Sequence, residues 1–158
     1  MDFKQGKIQG VLATPVRKYI DERGWLAETF RHDELDKTWY PKMSYASLSH
    51  PGVTRGPHEH VDQSDLFVFM GPGNFKIWVW DNRKNSPTFM VRQILFGGQD
   101  YPLSVLIPPG VVHAYRNISN DCSLVLNFPN QLFMGEGKKS PIDEIRHEDD
   151  HDTIYKTE

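Results

Sequence analysis

No apolar stretch in this chain outlasts a single strand before a cluster of glycine, proline, asparagine or aspartate interrupts it. Short apolar or alternating runs lie at Val11–Val16, Trp25–Phe30, Met43–Leu48, Leu66–Met70, Phe75–Trp80, Phe89–Leu95, Ser104–Ile107, Val112–Asn117 and Ser123–Phe128. Between them stand ERG, HPG, MGPG, DNRKNSP, FGG, PPG and SND, each a turn-forming combination. Regular spacing of this kind predicts an all-β sandwich or barrel. Phe75, Ile77 and Val79 alternate with Lys76, Trp78 and Trp80, as in a strand between two environments. His32–Thr38 reads as a short helix and Ile142–Asp149 as a further turn.

Length and composition narrow the possibilities further. A chain of 158 residues with 38% hydrophobic and 12% aromatic residues can bury a real core. Residues 1–158 are expected to form a single domain, with the core over about 11–134 and a charged surface segment at 135–158. The acidic run within DEIRHEDDHDTIYKTE reads as a solvated tail. Net charge is −3 and Lys and Arg are nowhere concentrated, which argues against a nucleic-acid partner. No apolar run approaches the ~20 residues of a membrane span, and MDFKQGKIQG has no apolar leader core. The expectation is a soluble protein of the cytoplasm. The single Cys122 excludes an intrachain disulfide and a multi-cysteine zinc site, and is expected to be a buried free thiol.

Seven histidines stand beside that one cysteine. His58 and His60 form an HxH pair, which on a strand points both rings to one face. Asp65 follows, and His113 opens a later strand in IPPGVVHAYRN. Three imidazoles and a carboxylate brought together inside a barrel would suit one divalent transition metal ion. Each taken alone fits a polar surface position near a turn, and His32, His50, His147 and His151 are expected to be incidental.

RGPHEHVDQSD followed by GPG, and then PPGVVHAYRN, resembles the two motifs of the cupin superfamily, whose fold is a jelly-roll β-barrel. Asp65 stands where that superfamily usually has Glu, while Pro108, Gly110, His113 and Asn117 match its second motif in full. A longer resemblance is to the dTDP-4-dehydrorhamnose 3,5-epimerase family. DERGWLAETF, TRGPH, WDNRKNSPTF, IPPGVVHAY and DEIRHEDD are similar to segments of that family in the same order, from about Asp21 to Asp150.

That resemblance implies an enzyme without a cofactor, acting on a dTDP-4-keto-6-deoxyhexose-type nucleotide sugar by proton exchange next to the ketone. It assigns His58 as base, Arg55 to the diphosphate and His113 to the sugar pocket. It also implies a homodimer, in which Arg23 and Glu28 complete the neighbouring subunit's site with Trp25 or Leu26 close by. Two family residues are missing. Asp65 stands at the place of the lysine that steadies the enolate, and the tyrosine strand falls near Leu126. Tyr115, two residues past His113, is expected to supply the displaced phenol. For the carboxylate partner of the base, the candidates are Asp149, Asp150 and Asp152.

Two other readings follow from the same residues. One is a metal-dependent cupin, a sugar isomerase or oxygenase, with His58, His60, Asp65 and His113 around one divalent ion. The other is a non-catalytic module that binds sugar nucleotides, in which Trp78 and Trp80 stack on the ligand; barrel or dimer packing is the commoner role of such a pair and is the expectation.

Overall fold

A computed structural model describes residues 2–158. Its strands are β1 (Lys4–Gln5), β2 (Leu12–Pro15), β3 (Lys18–Asp21), β4 (Gly24–Ala27), β5 (Tyr45–Ser49), β6 (Thr54–Glu59) and β7 (Asp65–Phe69). The chain continues through β8 (Asn74–Asp81), β9 (Val91–Gly98), β10 (Leu103–Ile107), β11 (Val111–Asn117), β12 (Ser123–Asn127) and β13 (Ile145–Arg146). One sheet has the order β1-β9-β8-β11-β6-β13, the other β2-β10-β7-β12-β5, and β3–β4 is a separate hairpin. This is the all-β jelly roll expected, and each of the nine apolar runs contributes a strand. Only β1, β3, β6 and β13 lie outside them.

The alternation in the strands explains how the two large sheets stack. Phe67 and Phe69 of β7, Val105 and Ile107 of β10 and Val125 of β12 meet Phe75, Ile77 and Val79 of β8 in one buried cluster. The intervening side chains of β8 and β11 point the other way. Trp78, Trp80, Val112 and Ala114 form a second cluster, closed from outside by Tyr155 and Phe3. Trp78 and Trp80 have no exposed surface, so they pack in the barrel as expected and are not available to stack on a ligand. The C-terminal segment is likewise more than a solvated tail. Ile145 and Arg146 pair with Glu59 and His58 of β6, and Tyr155 lies edge-on to Trp80.

Two turn motifs have structural roles. In DNRKNSPT the buried Asp81 carboxylate accepts from Arg83 Nε at 2.8 Å and from the Ser86 and Thr88 hydroxyls at 2.6 Å. In RGPH, Gly56 has φ +79°, and a Cβ there would stand 2.5 Å from the His113 carbonyl oxygen. The pairing of β6 with β11 shifts at this point, from His113 opposite His58 to Tyr115 opposite Arg55. The extra residue in β6 therefore sets Arg55 and His58, three positions apart, opposite two residues of the same face of β11.

The expected helix at His32–Thr38 resolves into two 3-10 turns, His32–Glu34 and Lys37–Trp39. Asp36 breaks the run between them, because its carboxylate accepts from Thr38 N and holds an extended backbone. Cys122 is a free thiol as expected, but it is half-buried, with Sγ 3.3 Å from His50 Nδ1. Among the described residues no helix is long and apolar enough to cross a membrane.

The packing of the second cluster is testable. Trp80→Ala is expected to cost about 3–5 kcal/mol, seen as a lower urea midpoint at unchanged m-value.

Candidate active site

A cavity of about 1060 Å³ opens between the two sheets. The six-stranded sheet contributes Arg55, His58 and Tyr115 to its wall, and the five-stranded sheet contributes Tyr45, Ser47 and Phe67. Asp143, Glu144, Arg146 and Glu148 close it from the C-terminal segment. His58, His60 and His113 gather here, with the His58 and His113 rings 4.5 Å apart between centroids.

Asp65, the first residue of β7, ties the opposed sheets together at this point. Its Oδ2 lies 3.1 Å from His60 Nε2 and 3.4 Å from His113 Nε2. Its Oδ1 accepts from Gln63 Nε2 at 3.0 Å and Asn127 Nδ2 at 2.8 Å. Burial alone would push the carboxyl pKa up. The His60 hydrogen bond, the neighbouring imidazoles and Asn127 outweigh burial and hold it at about 2.

His60 lies just past the end of β6. Its Nδ1 donates to the Asp143 backbone carbonyl while Nε2 faces Asp65. Burial opposes its positive charge, but the Asp65 hydrogen bond and charge and the Asp143 contact raise its pKa to about 9. Asp143 also caps the loop after β6, its carboxylate accepting from the backbone N–H groups of Val61, Asp62 and Gln63. His113 is the opposite case. Complete burial and the neighbouring His58 lower it to about 3 against the pull of Asp65, so it is a neutral ring.

His58 is kept neutral in the same way, since burial lowers its pKa. Two carboxylates work against that shift. Glu144 Oε1 and Glu148 Oε1 each lie 3.8 Å from His58 Nδ1. These residues, rather than Asp149, Asp150 and Asp152, are the acidic neighbours of His58. The reason is register: β13 sets Arg146 opposite His58, and alternation places Glu144, Arg146 and Glu148 on the cavity side. His147 points to the other side and donates through Nε2 to Glu59 Oε1 at 2.8 Å, so it is not an incidental surface histidine.

The remaining predicted residues divide. Arg55 lines the cavity, donating through Nε to Ser49 Oγ and through Nη2 to the Leu48 carbonyl. Tyr115 also lines it, 5% exposed and edge-on to Phe67, Phe69 and Phe75. Arg23 and Glu28 do not reach it within one chain. Arg23 pairs with Asp21 across the β3–β4 turn, and Glu28 with Arg31. Leu126, at the expected tyrosine position, is not a cavity residue, whereas its neighbour Asn127 is buried and bonded to Asp65. Tyr45 was missed in the sequence because nothing in MSYASL distinguishes it from a packing tyrosine.

Three imidazoles within reach of one point resemble a metal cage. The carboxylate expected to complete it is committed elsewhere, paired with the His60 imidazolium and held by Gln63 and Asn127. A cation would have to displace the His60 proton, so the donor set fits proton transfer better than ligation.

Residues 5–140 match the family described as dTDP-4-dehydrorhamnose 3,5-epimerase. The chain belongs to that family. It is 33% identical over 126 residues to the spore coat polysaccharide biosynthesis protein SpsL of Bacillus subtilis (strain 168), covering 80% of this chain and 82% of that one. To the probable low-salt glycan biosynthesis epimerase Agl13 of Haloferax volcanii it is 34% identical over 114 residues, 72% of each chain. The 3'-monoepimerase ChmJ from Streptomyces bikiniensis shares the fold at TM-score 0.77 and 21% identity, over 90% of this chain and 72% of that one. The dTDP-4-dehydrorhamnose 3,5-epimerase from Sulfolobus tokodaii does so at 0.73 and 24%, over 92% and 82%. Membership of this epimerase family makes the chain a nucleotide-sugar epimerase-type enzyme, and the metallocupin and binding-module readings are not favoured.

The charged pair at the cavity has a defined pH window. The His60 pKa is raised above the ordinary imidazole value, so its stabilisation is full below about 6.5 and is lost as pH rises through about 9. The Asp65 pKa is depressed, so its share is present above about 3.9 and is lost as pH falls through about 2. His60→Gln should therefore destabilise most near pH ~6, with the difference shrinking above pH ~9, as read from urea midpoints at both pH values.

Proposed function

We propose that this cavity binds a dTDP-4-keto-6-deoxyhexose and inverts a carbon next to its ketone, with His58 removing the proton and with no resident cofactor or metal. The observation that carries this reading is the state of His58. Burial keeps the imidazole unprotonated, as a base must be, while Glu144 and Glu148 at 3.8 Å are placed to stabilise the imidazolium that forms. A cavity of about 1060 Å³ has room for a nucleotide-linked hexose. Arg55 supplies a permanent positive charge at its wall for the diphosphate, while the neutral His113 lies buried behind the lining against the His58 ring rather than in the sugar pocket the resemblance implied. The charge that steadies the enolate comes from the field of the His60 imidazolium rather than from a lysine. Two phenols, Tyr45 and Tyr115, stand in the wall, and the reading requires only that one group there returns the proton.

The reading is tested by incubating the protein in deuterated water with a dTDP-4-keto-6-deoxyhexose and following label at C3 and C5. Exchange that survives chelator treatment and falls at least ~100-fold in His58→Ala is the expected result. Absence of exchange in the wild type, or its loss with the chelator, would contradict it.

We further propose that the enzyme works as a homodimer. The β3–β4 hairpin stands apart from both sheets and exposes Ile20, Trp25 and Leu26, with Arg23 at its tip and Glu28 just after it. An apolar ribbon of this kind is suited to cover a second copy and carry Arg23 and Glu28 to the neighbouring cavity. Sedimentation should give a dimer, and Leu26→Glu should give monomers with impaired turnover.

A further inference from the structure

Inversion at carbon requires the departing and arriving protons to use opposite faces, and the two walls of the cavity belong to different sheets. His58 stands on β6 of the six-stranded sheet. Tyr115 stands on β11, the strand paired directly with β6, so it shares the wall of the base. Tyr45 stands on β5 of the other sheet and lines the same cavity. We propose that Tyr45, rather than Tyr115, is the acid that returns the proton. This assignment rests on the epimerase reading above and names the second catalytic residue of that site.

The hydrogen bonds around Tyr45 leave its proton free. Asn127 Nδ2 donates to Asp65 Oδ1 at 2.8 Å, and a carboxylate can only accept, which fixes the orientation of the amide. The same Nδ2 therefore donates to Tyr45 Oη at 2.8 Å. The phenol oxygen is an acceptor in that bond, and its own hydrogen has no acceptor among the described residues. Access points the same way. Tyr45 is 43% exposed on the open cavity wall, whereas Tyr115 is 5% exposed within a ring of phenylalanines. Asn127 also connects the two halves of the site. The chain Tyr45–Asn127–Asp65–His60 runs from the phenol to the imidazolium, so the pose of Tyr45 is set by the buried ion pair.

The step balances without any co-reactant. The C–H bond beside the ketone breaks, its proton passing to His58 and its electron pair into the enolate. The enolate pair then forms a new C–H bond on the opposite face with the Tyr45 proton, as the phenolic O–H bond breaks. Solvent returns a proton to the phenolate and takes one from the imidazolium, which restores both groups.

Two readouts in deuterated water separate this assignment from the reading it rests on: label entering the substrate carbon, which needs only the base, and appearance of inverted product, which needs the acid. Tyr45→Phe should keep His58-dependent labelling within a few-fold while inverted product falls at least ~100-fold. Tyr115→Phe should keep product formation within a few-fold. Inversion at the wild-type rate in Tyr45→Phe, or loss of inversion in Tyr115→Phe alone, would overturn the assignment while leaving the epimerase reading intact. A wild type that neither labels nor inverts the substrate overturns both.

Discussion

The two-sided hydrogen bonding of β6 is the constraint on which the cavity depends. On one edge it pairs with β11, which brings His58 against His113 and Arg55 against Tyr115. On the other it pairs with β13, which brings Glu144 and Glu148 to the same imidazole. Gly56 makes the first pairing possible, because a side chain there would collide with the His113 carbonyl. The offset at that glycine also decides which side chains turn inward. A regular strand would send Arg55 and His58 to opposite faces.

Electrostatics at the site follow from one reversal of charge. A carboxylate stands where a lysine was expected, and left alone a buried carboxylate would oppose an enolate. It is not left alone. Asp65 holds His60 as its cation, and Asp143 orients that ring from the far side. The positive charge has thus moved to a neighbouring residue while the local sum is kept near neutral. Burial acts in the other direction on His58 and His113, both of which stay uncharged. Three histidines within one cluster therefore sit in two protonation states, set by which of them touches a carboxylate at hydrogen-bond distance.

Much of this was legible in the sequence. Glycine and proline spacing, with the alternation in Phe75–Trp80, led to the right fold class, because strand length and inward-outward period are local properties. The HxH and PPG–His segments led to the cavity, since their spacings encode a pairing between two strands. What stayed hidden depended on long-range partners. Glu144 and Glu148 look like ordinary surface acids until β13 docks them on β6. His147 looked incidental because its partner Glu59 is distant in sequence and points away from the cavity. Tyr45 was invisible because a short strand with one tyrosine carries no chemical signature, and the cover over Trp78 and Trp80 was hidden because Tyr155 lies in a charged segment.

The closing segment makes the acidic wall of the cavity separable from its imidazoles. His58 and His113 are set against each other by the pairing of β6 with β11 alone. Glu144, Glu148 and the Asp143 cap on residues 61–63 all come with the segment around β13, a strand of two residues. The same segment carries the Asp143 carbonyl that meets His60 Nδ1. A barrel stripped of that segment would keep its two sheets and lose the groups that tune its histidines.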